Sequence, residues 1–161
     1  MPPDPILPWP LVKRGNTGFP VRPLQRLLNA RGPDIGVDGI FGPQTENAVK
    51  AFQSGHGLAA DGIVGPQTWP RLVVQVRQGS TGNAVKAVQE VMKFHDQSGG
   101  EGPPIHVDGI FGPQTDSWIR GFQTALGIAS DGIVGPLTWQ ALAASDVKLP
   151  VTESAAKLQP A

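Results

Sequence analysis

The chain has 161 residues, with 13 basic and 13 acidic side chains, 17 prolines, 21 glycines and no cysteine. With balanced charge and no Lys/Arg run longer than Lys13-Arg14, there is little to hold a phosphate backbone, so no nucleic-acid partner is expected. No apolar run approaches the ~20 residues of a membrane span, and the lack of cysteine removes disulfides, thiolate catalysis and Cys-ligated zinc.

Residues 1–11 form a Pro-rich arm, expected to be extended, with Trp9 and Leu11 placed to dock on the first folded unit. The arm has neither the basic nor the apolar region of a Sec signal peptide. The expectation is a mature form, or a protein that leaves the cytoplasm by another route.

After the arm comes a repeat. Asp-Gly-Ile-(Phe/Val)-Gly-Pro-(Gln/Leu)-Thr starts at Asp38, Asp61, Asp108 and Asp131, so the four copies form two pairs offset by 70 residues. Unit one is expected over residues 12–72 and unit two over 76–142, with only Val73-Val74-Gln75 between them. So short a linker predicts rigid neighbours. Units of this size bury a thin core and depend on stiff turns.

In each unit Gly-(Asn/Ser)-Thr-Gly, at Gly15 and Gly79, precedes a helical stripe: Val21, Leu24, Leu27 and Leu28, then Val85, Val88, Val91 and Met92. A second helix should begin at Pro43 and Pro113, because proline suits the first helical position. Its inward residues are Ala48, Val49 and Phe52, or Trp118, Ile119 and Phe122. A third, short helix is expected from Pro66 and Pro136, reduced to little more than a turn in unit one by Pro70. The fold class is therefore all-α: two tandem three-helix units with short turns and extended Pro-rich termini. Residues 143–161 read as a polar tail.

The motif reads as a device for entering a helix. Asp accepts turn N–H groups, Gly takes a conformation that other residues avoid, and Ile with Phe or Val plugs the core. Gly-Pro then starts the helix, with Thr45, Thr68, Thr115 or Thr138 in its first turn. Ala48 becomes Trp118 in unit two while Leu24 and Leu27 become Val88 and Val91. Such volume compensation places Trp118 in the core rather than on a ligand platform.

Both units resemble the type 1 peptidoglycan-binding domain. The resemblance rests on Gly-x-x-Gly-x-x-Val-x-x-(Leu/Val)-Gln, Val-Asp-Gly-Ile-Phe-Gly-Pro-x-Thr, Phe-Gln and Asp-Gly-Ile-Val-Gly-Pro-x-Thr-Trp, in order in each unit. It implies a compact three-helix module that anchors proteins to bacterial cell wall, usually beside a hydrolase domain. The expectation is a departure from that arrangement, with no third domain to do chemistry. The chain also lengthens the first loop of unit two, where Gln89 to Asp108 is 19 positions against 13 from Gln25 to Asp38. The polar stretch 95–104 is either a tolerated surface insertion or a contact peculiar to unit two.

Catalysis finds little support. His95 and His106 flank the inserted loop with Asp96, Glu101 and Asp108 nearby, but no His-Glu-x-x-His spacing occurs and His56 belongs to the other unit. No metal or other cofactor is expected. A glycosidase needs a carboxyl poised as a general acid, whereas the repeated aspartates belong to turns that stabilise their charged form. No Gly-x-Ser-x-Gly elbow is present. The expectation is a non-enzyme.

Tyrosine is absent, and Trp69 and Trp139 occupy core positions, so a sugar-stacking platform is poorly supported. Helix N-termini favour anions and could take a stem-peptide carboxylate. The candidate contacts are Thr45, Gln53, Asp61, Thr115, Gln123 and Asp131, each of which can equally serve as a cap or loop brace. Two weak sites held rigidly would gain by avidity on a repeating polymer. The expected partner is peptidoglycan and the expected place the cell wall. The alternative is a structural part of a phage or injection particle, meeting other proteins through arm and tail. A cell-wall hydrolase is the third reading.

Overall fold

The computed structural model describes residues 6–96 and 105–144. Positions 1–5 of the arm, most of the inserted loop (97–104) and the tail from 145 onward lie outside the described residues, and so do the roles expected of them.

Six helices follow in order: α1 (Val21–Ala30), α2 (Pro43–Gly55), α3 (Trp69–Leu72), α4 (Asn83–Asp96), α5 (Pro113–Leu126) and α6 (Pro136–Ala144). The fold is all-α with three helices per unit. Extended pairing among the described residues is limited to isolated antiparallel bridges, Val12 with Val64 and Thr17 with Ile40, repeated as Val76 with Val134 and Thr81 with Ile110.

Local chemistry sets the helix starts. Pro43 and Pro113 open α2 and α5, each after a glycine in extended conformation, where the missing N–H leaves nothing unsatisfied. The third helices differ. α6 begins at Pro136 as expected, but α3 begins at Trp69, three residues later than Pro66. Pro70 has no N–H to close a turn back onto Pro66. Residues 65–68 form a tight turn instead, with Thr68 and Trp69 both donating to the Gly65 carbonyl.

The apolar stripes of α1 and α4 are buried, and one continuous cluster of buried side chains runs through both units. α1 packs on α4, so the first helix of each unit is the interface. Phe19 stacks on Phe94 across it, with ring centroids 4.3 Å apart. Arg22 and Arg26 of unit one both reach Glu90 of unit two.

The arm and the linker do the same work for successive units. Trp69 donates its indole N–H to the Pro10 carbonyl, and Trp139 donates to that of Val74. Two residues further on, Val12 and Val76 make the equivalent bridges. Trp9 docks on Trp69 at 5.8 Å, but Leu11 stays 68 % exposed. Gln140 of unit two also donates to the Leu7 carbonyl, tying the arm to both units.

Two expectations about the core are corrected. Phe41, Phe111, Val64 and Val134 are buried, yet Ile40 and Ile110 are 54 % and 58 % exposed, and Ile63 is also exposed. Successive side chains of an extended segment point to opposite sides, so seating the Phe or Val turns the Ile outward. Trp118 is half-buried rather than enclosed, stacked on Phe122 at 5.4 Å with His95 at 6.0 Å.

Candidate functional site

Each copy of the motif closes around a buried glutamine that precedes it in the chain. Gln53, on α2, directs its Nε2 hydrogens to Asp61 Oδ1, the Ile63 carbonyl and Thr68 Oγ1 at 2.9–3.1 Å. Its Oε1 accepts from the Gly62 N–H at 3.0 Å, while Asp61 Oδ1 accepts from the Ile63 N–H at 2.9 Å. The same bonds join Gln25 to Asp38, Ile40 and Thr45, Gln89 to Asp108, Ile110 and Thr115, and Gln123 to Asp131, Ile133 and Thr138. All four glutamines are at most 2 % exposed. A buried amide needs partners for both ends, and the motif supplies them.

Glycine is required at the second motif position. Gly39, Gly62, Gly109 and Gly132 have φ between +73° and +76°, a region that L side chains avoid. This turn aims the glycine N–H at the glutamine.

The aspartates are exposed, and at Asp38, Asp108 and Asp131 these bonds hold the charge. The carboxyl of Asp38 lies below its usual range, first through Gln25 and then through the Ile40 N–H. Those of Asp108 and Asp131 are lowered chiefly by the N–H of Ile110 and of Ile133. Groups held ionised in this way suit anchoring, not proton donation. No cluster of three His, Asp or Glu able to hold a metal occurs among the described residues.

The six sequence candidates fall into separate clusters. Thr45 belongs with Gln25 and Asp38, and Thr115 with Gln89 and Asp108. Gln53 joins Asp61 and Gln123 joins Asp131, in each unit's second motif. The threonines and glutamines are buried and spend their polar atoms internally; the two aspartates are exposed. Sequence reasoning passed over Gln25 and Gln89, whose signal was a single amide on an otherwise apolar stripe. It also passed over Thr68, Thr138 and the outward isoleucines.

Beside the last cluster lies an open cleft of about 370 Å³, lined by Gln75, Gln123, Asp131, Ile133, Leu137 and Thr138 among others. Leu137 is 53 % exposed. The cleft thus combines an ionised carboxylate, an amide from the linker and outward aliphatic side chains over a rigid polar base. A second cleft, of about 290 Å³, opens in unit one against α1 and α2.

Comparison with known proteins agrees with this division into two units. The family model described as "Putative peptidoglycan binding domain" matches residues 17–72 and again 81–142. A zinc D-Ala-D-Ala carboxypeptidase of Streptomyces albus G is 31 % identical over 118 residues, 73 % of this chain and 43 % of that protein. The N-acetylmuramoyl-L-alanine amidase CwlL of Bacillus licheniformis is 31 % identical over 156 residues, 78 % of this chain and 43 % of its own. A crystal structure of a peptidoglycan-binding protein from Clostridioides difficile, in complex with glutamine hydroxamate, is 44 % identical. It covers 39 % of this chain and 40 % of that one, with a TM-score of 0.38. The chain spans less than half the length of these curated relatives.

Proposed function

The chain belongs to the peptidoglycan-binding domain family in both of its units, and we propose that it binds bacterial cell-wall peptidoglycan at two sites without cleaving it. The observation that carries this reading is the repetition of one complete, internally satisfied architecture in both halves of the described chain.

The repeated acids favour a non-catalytic role. Asp38, Asp108 and Asp131 are bonded to backbone N–H and to glutamine, which holds their carboxyls below the usual range, so none of these three is poised to give up a proton. The named hydrolases share this region over 43 % of their length, consistent with a wall-directed part that accompanies chemistry done elsewhere.

Within each unit the second motif is the proposed contact. In unit two, Asp131 supplies the carboxylate, Gln75 an amide, and Ile133 and Leu137 the apolar edges. Gln123 fixes that geometry from beneath, and Asp61 with Gln53 does the same in unit one. Thr45 and Thr115 act through the first-motif clusters that hold the helix starts. With the units locked together, two weak contacts act on one polymer and gain by effective concentration. The reading places the protein at the cell wall.

The test is co-sedimentation of the purified chain with sacculi, with and without muramidase digestion. Retention that depends on intact sacculi, with no soluble fragments released, is expected. Failure to sediment would sink the binding reading, and release of fragments would sink the non-catalytic one.

A further inference from the structure

The cleft in unit one is lined by Arg31, Ala48, Ala51, Phe52, Gly55 and His56 among others. The duplicated unit shows what occupies this position when the protein fills it itself. Arg31, Ala48 and Phe52 correspond to His95, Trp118 and Phe122. In unit two the indole of Trp118 lies on the Phe122 ring, 14° from parallel, with His95 beside it. In unit one the residue in its place is alanine. There the Phe52 ring is stacked by His56 from the following turn, at 4.0 Å, and is only 8 % exposed, while Ala48, one turn earlier, places a methyl group where unit two has the indole.

The polar groups at the rim are already oriented. Arg31 donates Nε to the Leu72 carbonyl and Nη2 to those of Arg71 and Val73, at 2.9–3.1 Å. Three bonds fix the guanidinium and leave Nη1 for a ligand. His56 Nδ1 lies 2.9 Å from the Phe52 carbonyl, which can only accept, so Nδ1 carries the hydrogen. In the neutral ring Nε2 is then an acceptor. The floor of Ala48, Ala51, Gly55 and Phe52 is apolar and leaves room for methyl-sized groups.

We propose that this cleft is a ligand site peculiar to unit one, and that it takes the carboxylate end of a short peptide with alanine-sized side chains. The carboxylate meets Arg31 Nη1, a peptide N–H meets His56 Nε2, and the methyl groups lie over Ala48, Ala51 and Phe52. A charge-assisted bond to a guanidinium held in advance is the strongest polar contact available at this rim. The inference rests on the peptidoglycan reading, because stem peptides present these chemical features, and it assigns the two units different ligands.

The test uses the full chain and N-acetyl-D-alanyl-D-alanine as the probe, followed by amide chemical shifts in nitrogen-15-labelled protein. Saturable shifts are expected at Ala51, Phe52, Gly55 and His56, at least tenfold weaker when the probe's carboxylate is replaced by a carboxamide. Ala48→Trp fills the cleft as unit two does and should lower affinity at least tenfold. His56→Phe keeps the stack, removes the acceptor and should weaken binding several-fold. Shifts confined to other residues, or full affinity in both variants, would overturn the proposal. Sedimentation with sacculi separates the two readings. If the chain sediments but the probe leaves this cleft unperturbed, only the cleft assignment fails; if nothing sediments, the wall-binding reading fails.

Discussion

Arg22 of the first unit and Glu90 of the second form a two-pronged ion pair, Nε to Oε1 at 3.1 Å and Nη2 to Oε2 at 3.0 Å. Arg26 adds a second cation at 3.1 Å. The Glu90 side chain is only 6 % exposed, whereas Arg22 is 44 % exposed. The carboxylate is therefore the member that cannot do without its partners. This arrangement makes two small units one body, and it requires both charges at one face of the α1–α4 contact.

Removing that carboxylate should loosen the interface. Glu90→Gln leaves two arginines without their anion, but both can turn toward water. The expected loss is about 1–3 kcal/mol, below the value for stranding a fully buried charge. Urea unfolding would read it, and separation into two transitions would show the units uncoupling. A variant with the original midpoint and slope would mean the pair contributes nothing to the joint.

The glutamine at the centre of each cluster should matter more than the aspartate at its edge. Gln123→Leu keeps the volume but strands the Gly132 N–H, the Ile133 carbonyl and the Thr138 hydroxyl. A loss of about 2–4 kcal/mol is expected, because unsatisfied buried groups cost more than a bond contributes. Thermal unfolding measures it against Asp131→Asn, which keeps an acceptor oxygen and should cost less. Equal losses in the two variants would contradict the central place given to the glutamine.

Two motif glycines should respond oppositely to alanine. Gly132 has φ +73°, and an added Cβ would lie 2.6 Å from Asp116 Oδ1. Gly132→Ala should cost about 1–2 kcal/mol from the left-handed backbone alone. Gly42 has φ −104° with open space around it. Gly42→Ala should be near neutral, or slightly stabilising through the unfolded chain. A comparison of melting temperatures decides.

Acid should act in two separate windows. Burial holds the His95 pKa down to about 4 from 6.5. As pH falls through 6.5 the unfolded chain takes up a proton that the folded chain refuses, so stability declines down to about pH 4. His95→Phe should flatten that part of the melting-temperature profile. Asp38, Asp108 and Asp131 are also lowered in the fold. Their contribution is complete above the ordinary aspartate pKa of about 3.9 and is lost as pH falls further, through the folded values. A profile flat from pH 7 to pH 3 would refute both.

Much of the local architecture was legible without coordinates. The helical stripes, the prolines at helix starts and the Asp-to-N–H turn with its obligatory glycine act over one to four residues, within which sequence pattern and geometry are tied together. The start of α3 at Trp69 is not legible in this way, because Pro70 acts on the turn before it. Nor is the outward turn of Ile40, Ile63 and Ile110, because hydrophobicity alone does not say which of two adjacent apolar residues faces inward.

Relations between distant parts of the chain were not legible. Gln25 meets Asp38 across 13 residues, Arg22 meets Glu90 across 68, and Gln140 reaches the arm across 133. Each depends on where whole helices pack. The sequence by itself determined the duplication, the helix class and the family, because these are written in repeated short-range patterns. Only the tertiary structure decided that the motif closes on a buried glutamine, that the units lock through Glu90, and that unit one keeps open the space where unit two places a tryptophan. Those outcomes follow from packing and from the need to satisfy every buried polar group, conditions met in three dimensions and not along the chain.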